Sequence, residues 1–324
     1  MPLHAEPEKD RPRFTITEEN DSMIAATDRH YSQGIKLSML STQITPGGFW
    51  DKPYDWFPVF EEGANRTRKY NWTILGQSIF TPSNPRLATP DPNDRPYGAW
   101  LYTGVGLLQE TRHESHDTLE NLEILGGIVG PEAFGAQTQN DFHQFLGVSE
   151  FRGWTDQLRD EPGFMITYER KWRFGKEISD SGLGVDIIPE AGVTLGNVMT
   201  YGQASVLARF GQNLETDYGP NRVRPAVSGN GWFNGERLKS PFGWYVFAGV
   251  QGRAVGHNIF LDGNTYADSP SINKNNFVAD FTGGVALFWK DDVRMDFSFT
   301  QRTKEFETQE KDDSFGAVNL TVAF

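Results

Sequence analysis

The sequence predicts an all-β protein, a transmembrane antiparallel β-barrel of about twelve strands with a short helix in an extracellular loop. Three observations predict it. Polar and apolar residues alternate over stretches of roughly ten residues, the pattern of a strand with one face in lipid and one in a lumen. Aromatic residues crowd the ends of those stretches, at Trp72, Trp100, Tyr102, Trp172, Trp244 and Tyr245, and glycines sit on the strands. The final stretch alternates through Phe315, Ala317, Val318, Leu320 and Val322 and closes on Phe324, as expected of a sorted bacterial outer-membrane barrel. A soluble β-sandwich also alternates and is rich in turns. The aromatic crowding, the strand glycines and the terminal Phe favour the membrane.

Taken in order, the alternating segments lie near 13–19, 31–41, 70–81, 98–112, 117–129, 162–174, 182–195, 200–211, 242–256, 275–289, 291–306 and 312–324. The segment 291–306 shows the pattern well: Val293, Met295, Phe297 and Phe299 alternate with Arg294, Asp296 and Ser298. An even number of strands puts both termini in the periplasm. The connections 20–30, 82–97, 130–161 and 257–274 then face outward. The short turns 113–116, 175–181 and 290–292 face inward. Two inward connections, 42–69 and 212–241, are too long for periplasmic turns: either they carry added structure or the strand count slips there. Residues 1–12 read as a flexible N-terminal segment before a single barrel domain, 13–324.

Composition bounds the function. No run of eighteen or more apolar residues exists, which excludes a transmembrane helix. A mean hydropathy of −0.52 is compatible with a barrel, because only alternate residues meet lipid. The formal net charge of −13 argues against nucleic acid, whose phosphates select basic surfaces. Cysteine is absent, so disulfides and thiolate-metal sites are excluded. The opening MPLHAEPEKDRPR has no apolar core of a signal peptide; an exported chain would begin here as a mature or re-engineered N-terminus.

Two loops carry candidate chemistry. In the first, EENDSMIAATDRHYSQG (18–34), Glu19, Asn20, Asp21 and Asp28 offer the oxygen ligands that Ca²⁺ prefers. The spacing does not match a twelve-residue EF-hand loop, and a turn capped by Asn and Asp explains it equally. In the second, QTQNDFH (137–143) follows Gly130-Pro131 and precedes Gly147. Pro131 suits a first helical turn. On a helix, Gln139 and His143 lie one turn apart on one face, while Phe134, Phe142, Phe145 and Leu146 pack another. An imidazole titrates near neutral pH and can take a proton from water if held in place. Glu150, eleven residues past Gln139, shares that face only if the helix runs through Gly147. An exposed loop helix with a surface histidine is the plain alternative. His113 and His116 read as surface, and His4, His30 and His257 have no acid or nucleophile at a telling spacing.

Taken together these segments resemble the outer-membrane lipid A 3′-O-deacylase family. The matching elements are Asn20-Asp21 after a short first strand, and Asp28-Arg29 followed by Tyr31-Ser32-x-Gly34. Gly127–Pro131 leads into Gln139-Asn140-x-x-His143, then Gly147, Trp154 and Gln157. Asp94-Arg95-Pro96-Tyr97-x-x-Trp100 and Tyr168-x-x-x-Trp172 match as well, so the resemblance runs from about residue 13 to 324.

The resemblance implies a barrel in the bacterial outer membrane whose active site faces the outer leaflet, between the wall and the loop helix. It implies a Ca²⁺-dependent hydrolase that removes the 3′-linked acyloxyacyl group of lipid A. By position, Asn20, Asp21, Ser32, Gln139 and His143 inherit the site, with Asp21, Ser32 and Glu150 as metal ligands. The family has a glutamate where this chain has Ser149, so Glu150 is carried over by a one-residue shift; Ser32 stands for a common Thr. His143 would activate water, or Ser32 with His143 would form a nucleophile–base pair. Arg29, or Arg152 near the helix, would meet lipid A phosphate. Lipid A within outer-membrane lipid is the expected partner, the chain acting as a monomer. Two other readings remain: a porin or transport barrel without catalysis, and an outer-membrane phospholipase with a serine nucleophile.

Overall fold

The computed structural model describes residues 10–324 except 26–28, 64, 85, 148–150, 180–181 and 226–229, and leaves aside the side chains at 24, 25, 145 and 146. Its twelve strands form one closed antiparallel barrel in which each strand pairs with its sequence neighbours and the first pairs with the last. They are β1 (Arg13–Asn20), β2 (His30–Leu40), β3 (Arg66–Thr81), β4 (Gly98–Arg112), β5 (Asp117–Val129) and β6 (Glu161–Glu177). The remainder are β7 (Leu183–Gly196), β8 (Met199–Gln212), β9 (Phe242–Asn258), β10 (Phe277–Trp289), β11 (Val293–Arg302) and β12 (Asp313–Ala323). Among the described residues, four α-helices lie in connections: α1 (Ser22–Ala25), α2 (Lys52–Asp55), α3 (Gly135–Leu146) and α4 (Ile259–Asp262).

Closure follows from the alternation, since a sheet with one apolar and one polar face leaves no edge once rolled up. On β11 the outward Met295, Phe297 and Phe299 are exposed, while Arg294, Asp296 and Ser298 are buried in the lumen. The expected count of twelve holds, and β3 starts at Arg66, a little before the expected 70. The two long inward connections are added structure of two kinds. Residues 42–63 wrap the outside of the wall, where Tyr54 packs with Tyr70, Leu107 and Leu122.

Residues 213–225 and 230–238 enter the lumen instead. Arg222 Nε donates to Glu19 Oε1 at 2.6 Å, Arg224 NH1 to Glu169 Oε2 at 2.7 Å, and Lys36 Nζ to Asn221 Oδ1 at 3.1 Å. Trp232 and Phe233 join Leu108, Leu119 and Phe288 in an apolar cluster. Charges taken out of water must be paired, and here the strands and the connection supply opposite partners. This packing occupies the lumen that a diffusion channel would leave open. Asp10 and Arg11 are also tied to the barrel, Asp10 Oδ1 accepting from Lys69 Nζ at 2.6 Å and Arg11 pairing with Asp291 and Asp292.

Candidate active site

The site begins with a row of residues on the outer wall. Asn20 pairs with Gln33, Gln33 with Ile79, and Ile79 with Ala99 across β1, β2, β3 and β4. Their strand neighbours Glu19, Phe80 and Trp100 point into the lumen: Glu19 meets Arg222, and the two rings join a buried cluster with Phe260. Alternation therefore turns the row outward. A bulge between Tyr31 and Gln33 inserts Ser32 opposite this row, and its Oγ lies 2.5 Å from Thr81 Oγ1.

Helix α3 docks on the same wall. Ala133, Phe151, Trp154 and Tyr97 bury Ile79 and Ala99, with Leu101, Ile128 and Ala136 packed against them. Gln77 Nε2 donates to Ala133 O at 2.7 Å. The helix is entered through Gly130 (φ 107°) and the turn Pro131–Ala133, and it ends at Gly147 (φ 70°). A left-handed glycine past the last turn is the usual stop.

The helix presents its polar stripe to the barrel. Gln139 and His143 are both buried, Gln139 accepting from Trp154 Nε1 at 3.2 Å and His143 standing edge-on to Phe151 at 4.7 Å. Phe151 N in turn donates to Asn140 Oδ1 at 3.0 Å. Of the expected apolar face, Phe134 and Phe142 are exposed, and the side chains of Phe145 and Leu146 lie outside the described residues. The exposed side of the helix is mixed, Gln137, Asp141 and Gln144 standing beside Phe142, while Gln139 and His143 are enclosed. Strands are spaced about 4.8 Å apart, so Asn20 lies two strand steps from Ile79 beneath the helix. The loops 20–30 and 130–161 thus open on one side of the barrel, as strand parity requires.

The remaining candidates divide. Asp21 is buried, its Oδ2 accepting from Arg29 N at 2.7 Å, and Asn20 Oδ1 accepts from Ser22 N at 2.7 Å. The capped turn expected as an alternative is therefore present. Glu19, offered as a ligand, faces the lumen with Arg222 and Tyr31 and is excluded from this cluster. Arg29 leans toward β12, its Nε 3.6 Å from Asp313 Oδ1, and Arg152 is exposed. Glu150 and Asp28 lie outside the described residues. Among the described residues no group of three or more His, Cys, Asp or Glu side chains converges as a metal site. The donors at the end of β1 are nevertheless all oxygens, a carboxylate, an amide and a hydroxyl, which suits a hard cation of the calcium type.

His30 corrects the sequence reading, which found no acid for it. It is buried, with Nδ1 donating to Asp313 at 2.8 Å and Nε2 lying 2.9 Å from Ser83 Oγ and 3.5 Å from Asp94 Oδ1. His257 likewise has Asp262, 3.2 Å away. Both partners are distant in sequence or set by a loop fold, so no spacing signals them. Trp154 and Phe151, which hold the helix stripe, carry no signal of that role beyond the family pattern at Trp154.

A closed twelve-stranded barrel with exposed apolar residues on its outer face and a loop helix docked on its outer wall defines an integral outer-membrane protein. The sequence profile of the family described as outer membrane protein LpxR matches residues 1–324, and the chain belongs to that family. Membership makes it an outer-membrane enzyme that modifies lipid A. Among solved structures, LpxR from Salmonella typhimurium is similar at 21% identity with a TM-score of 0.74, covering 96% of this chain and 100% of that one. The β domain of the Bordetella autotransporter BrkA shares 8% identity over 98% of this chain and 100% of that one, with a TM-score of 0.45. No curated protein matches.

Proposed function

We propose that the chain hydrolyses the 3′-linked acyloxyacyl ester of lipid A in the outer leaflet, with His143 as general base. The observation that carries this reading is the docking of α3, with its buried Gln139–His143 stripe, on β3 and β4, the strands that adjoin β2 with Ser32 and, one step further, β1 with Asn20. A site on the outer wall would reach an acyl ester without extracting the whole lipid from the membrane.

In this reading His143 takes a proton from water, and the resulting hydroxide attacks the ester carbonyl. The tetrahedral oxyanion collapses, the C–O bond to the sugar breaks, and the imidazolium returns its proton to the alkoxide. A placed base contributes on the order of 10²–10⁴-fold. Gln139, fixed by Trp154, keeps the stripe aimed at the wall. Asp21 and Ser32, with Glu150, would hold Ca²⁺ beside Asn20. When bound, that ion supplies polarisation of the ester carbonyl and stabilisation of the oxyanion. Ser32, buried and bonded to Thr81, is better placed to support than to attack as a nucleophile. Arg29 would contact a lipid A phosphate, and one copy of the chain suffices for the reaction.

Incubating the purified protein with lipid A, with and without EDTA and then with added Ca²⁺, tests the reading. Loss of the 3′-acyloxyacyl unit, silenced by chelation and restored by Ca²⁺, is the expected result. Release unaffected by EDTA would remove the metal from the mechanism. Unchanged lipid A with hydrolysed phospholipid would replace the substrate.

A further inference from the structure

The connection 42–65 leaves a second lipid problem. At the periplasmic end of the wall, Arg68, Gln109, Glu120 and Arg170 point outward, on the face that elsewhere carries Ile74, Phe164 and Phe281. Uncovered in lipid, such groups are costly. The connection covers and pairs them. Asp51 Oδ1 accepts from Arg68 NH1 at 2.8 Å, and Glu61 O from Gln109 Nε2 at 2.7 Å. Glu61 N donates to Glu120 Oε2 at 2.8 Å, and the Glu61 carboxylate meets Arg170. Tyr54 anchors the segment through Lys69 O and Leu108 O, at 2.6 and 3.1 Å.

The segment buries these polar wall groups beside the apolar cluster of Tyr54, Tyr70, Leu107 and Leu122, and it exposes three aromatic residues along with Lys52 and Asp55. Phe49 is 74% exposed, Trp50 54% and Trp56 71%. Trp50 stands edge-on to Tyr70 at 5.9 Å, and Tyr70 stacks on the outward Trp72 at 5.8 Å, so this patch runs without a break into the lipid-facing wall. Tryptophan prefers the boundary between headgroups and acyl chains.

We propose that residues 42–61 form a collar that seats Phe49, Trp50 and Trp56 in the phospholipid of the periplasmic leaflet, beside strands β3 to β6. The collar lets this sector of the wall be polar underneath and membrane-facing outside. It is an interfacial anchor separate from the outer-leaflet site.

The chain has no cysteine, so single nitroxide labels are unambiguous. Phe49→Cys and Trp56→Cys would be labelled, with Phe281→Cys as the lipid reference and Glu62→Cys as the water reference. Electron paramagnetic resonance in dilute phosphatidylcholine–phosphatidylethanolamine vesicles then compares collision with oxygen and with a water-soluble nickel chelate. The expected result is a several-fold preference for oxygen at 49 and 56, close to that at 281. Labels at 49 and 56 that behave like 62 would overturn the proposal. Spin–spin broadening between molecules at 56 would also overturn it, assigning the patch to a second copy. Should a substitution prevent folding, tryptophan quenching in brominated vesicles, compared between the unaltered chain and Trp56→Phe, reads the same contact. Quenching lowered by Trp56→Phe supports the collar; unchanged quenching contradicts it.

Discussion

Gly135, the first residue of α3, stands so close to Ala99 of β4 that a Cβ added to it would lie 2.4 Å from the Ala99 Cβ and 2.9 Å from the Trp154 ring. No real Cβ pair tolerates that approach, so the helix rests on the wall only because this position has no side chain. Gly135→Val should lift the N-terminal turn, with a cost of about 1–3 kcal/mol for overpacking. Hydrogen exchange over 135–146 should accelerate and lipid A deacylation should fall, while the barrel stays folded. Unchanged exchange and activity would show that the helix does not depend on this contact.

Trp154→Phe keeps the ring against Tyr97 but removes the N–H that Gln139 accepts. Removing one partner of a buried hydrogen bond costs about 1–3 kcal/mol. Because the loss falls on the stripe carrying His143, kcat should drop more than KM rises. A variant altered only in KM would place Trp154 in lipid binding instead.

Glu19 holds the lumen connection through Arg222 Nε at 2.6 Å and Val223 N at 3.0 Å. Breaking a buried pair from one side leaves an uncompensated charge, at about 3–5 kcal/mol. Glu19→Gln should therefore lower the temperature at which the folded band is lost in heat-modifiable gel electrophoresis. An unchanged transition would mean that water reaches Arg222.

The contrast between Glu19 and Asn20 shows what was legible in the sequence. Strand positions were readable because alternation is local, and the same period, counted from the exposed Ile16, turns Glu18 and Asn20 outward and Glu19 inward. The facing of α3 was not readable that way. Phe134 and Phe142 do not mark its buried face, which carries Gln139 and His143 instead. The spacing of Gln139 and His143 showed a shared stripe but not its docking partner, which is a row assembled from four strands. His30 meets Asp313 across the barrel seam, a contact of closure that no local pattern encodes. The length of the connections 42–69 and 212–241 left added structure and a slipped strand count equally open, and that one lies outside the wall and the other inside is decided by tertiary charge pairing.

The loop 82–97 should respond to acid through Asp94. Burial disfavours its charged form, but His30 and the backbone N–H groups of Ser83 and Arg95 outweigh this and hold its pKa below the usual carboxylate value. A carboxylate lowered in the folded state contributes stability that is present above its unfolded pKa and lost as pH falls through the folded one. Hydrogen exchange at Ser83 and Arg95 should stay slow near neutrality and quicken only in acid below the ordinary Asp range. Asp94→Asn should abolish that step, and a step retained in the variant would assign it to another group.

The proposed hydrolysis depends most on His143, and mass spectrometry of lipid A from cells expressing the unaltered chain or His143→Ala tests this most directly. The unaltered chain should remove the 3′-acyloxyacyl unit, and the variant should leave lipid A intact while its barrel still shows heat-modifiable migration. Full deacylation by the folded variant would contradict the account.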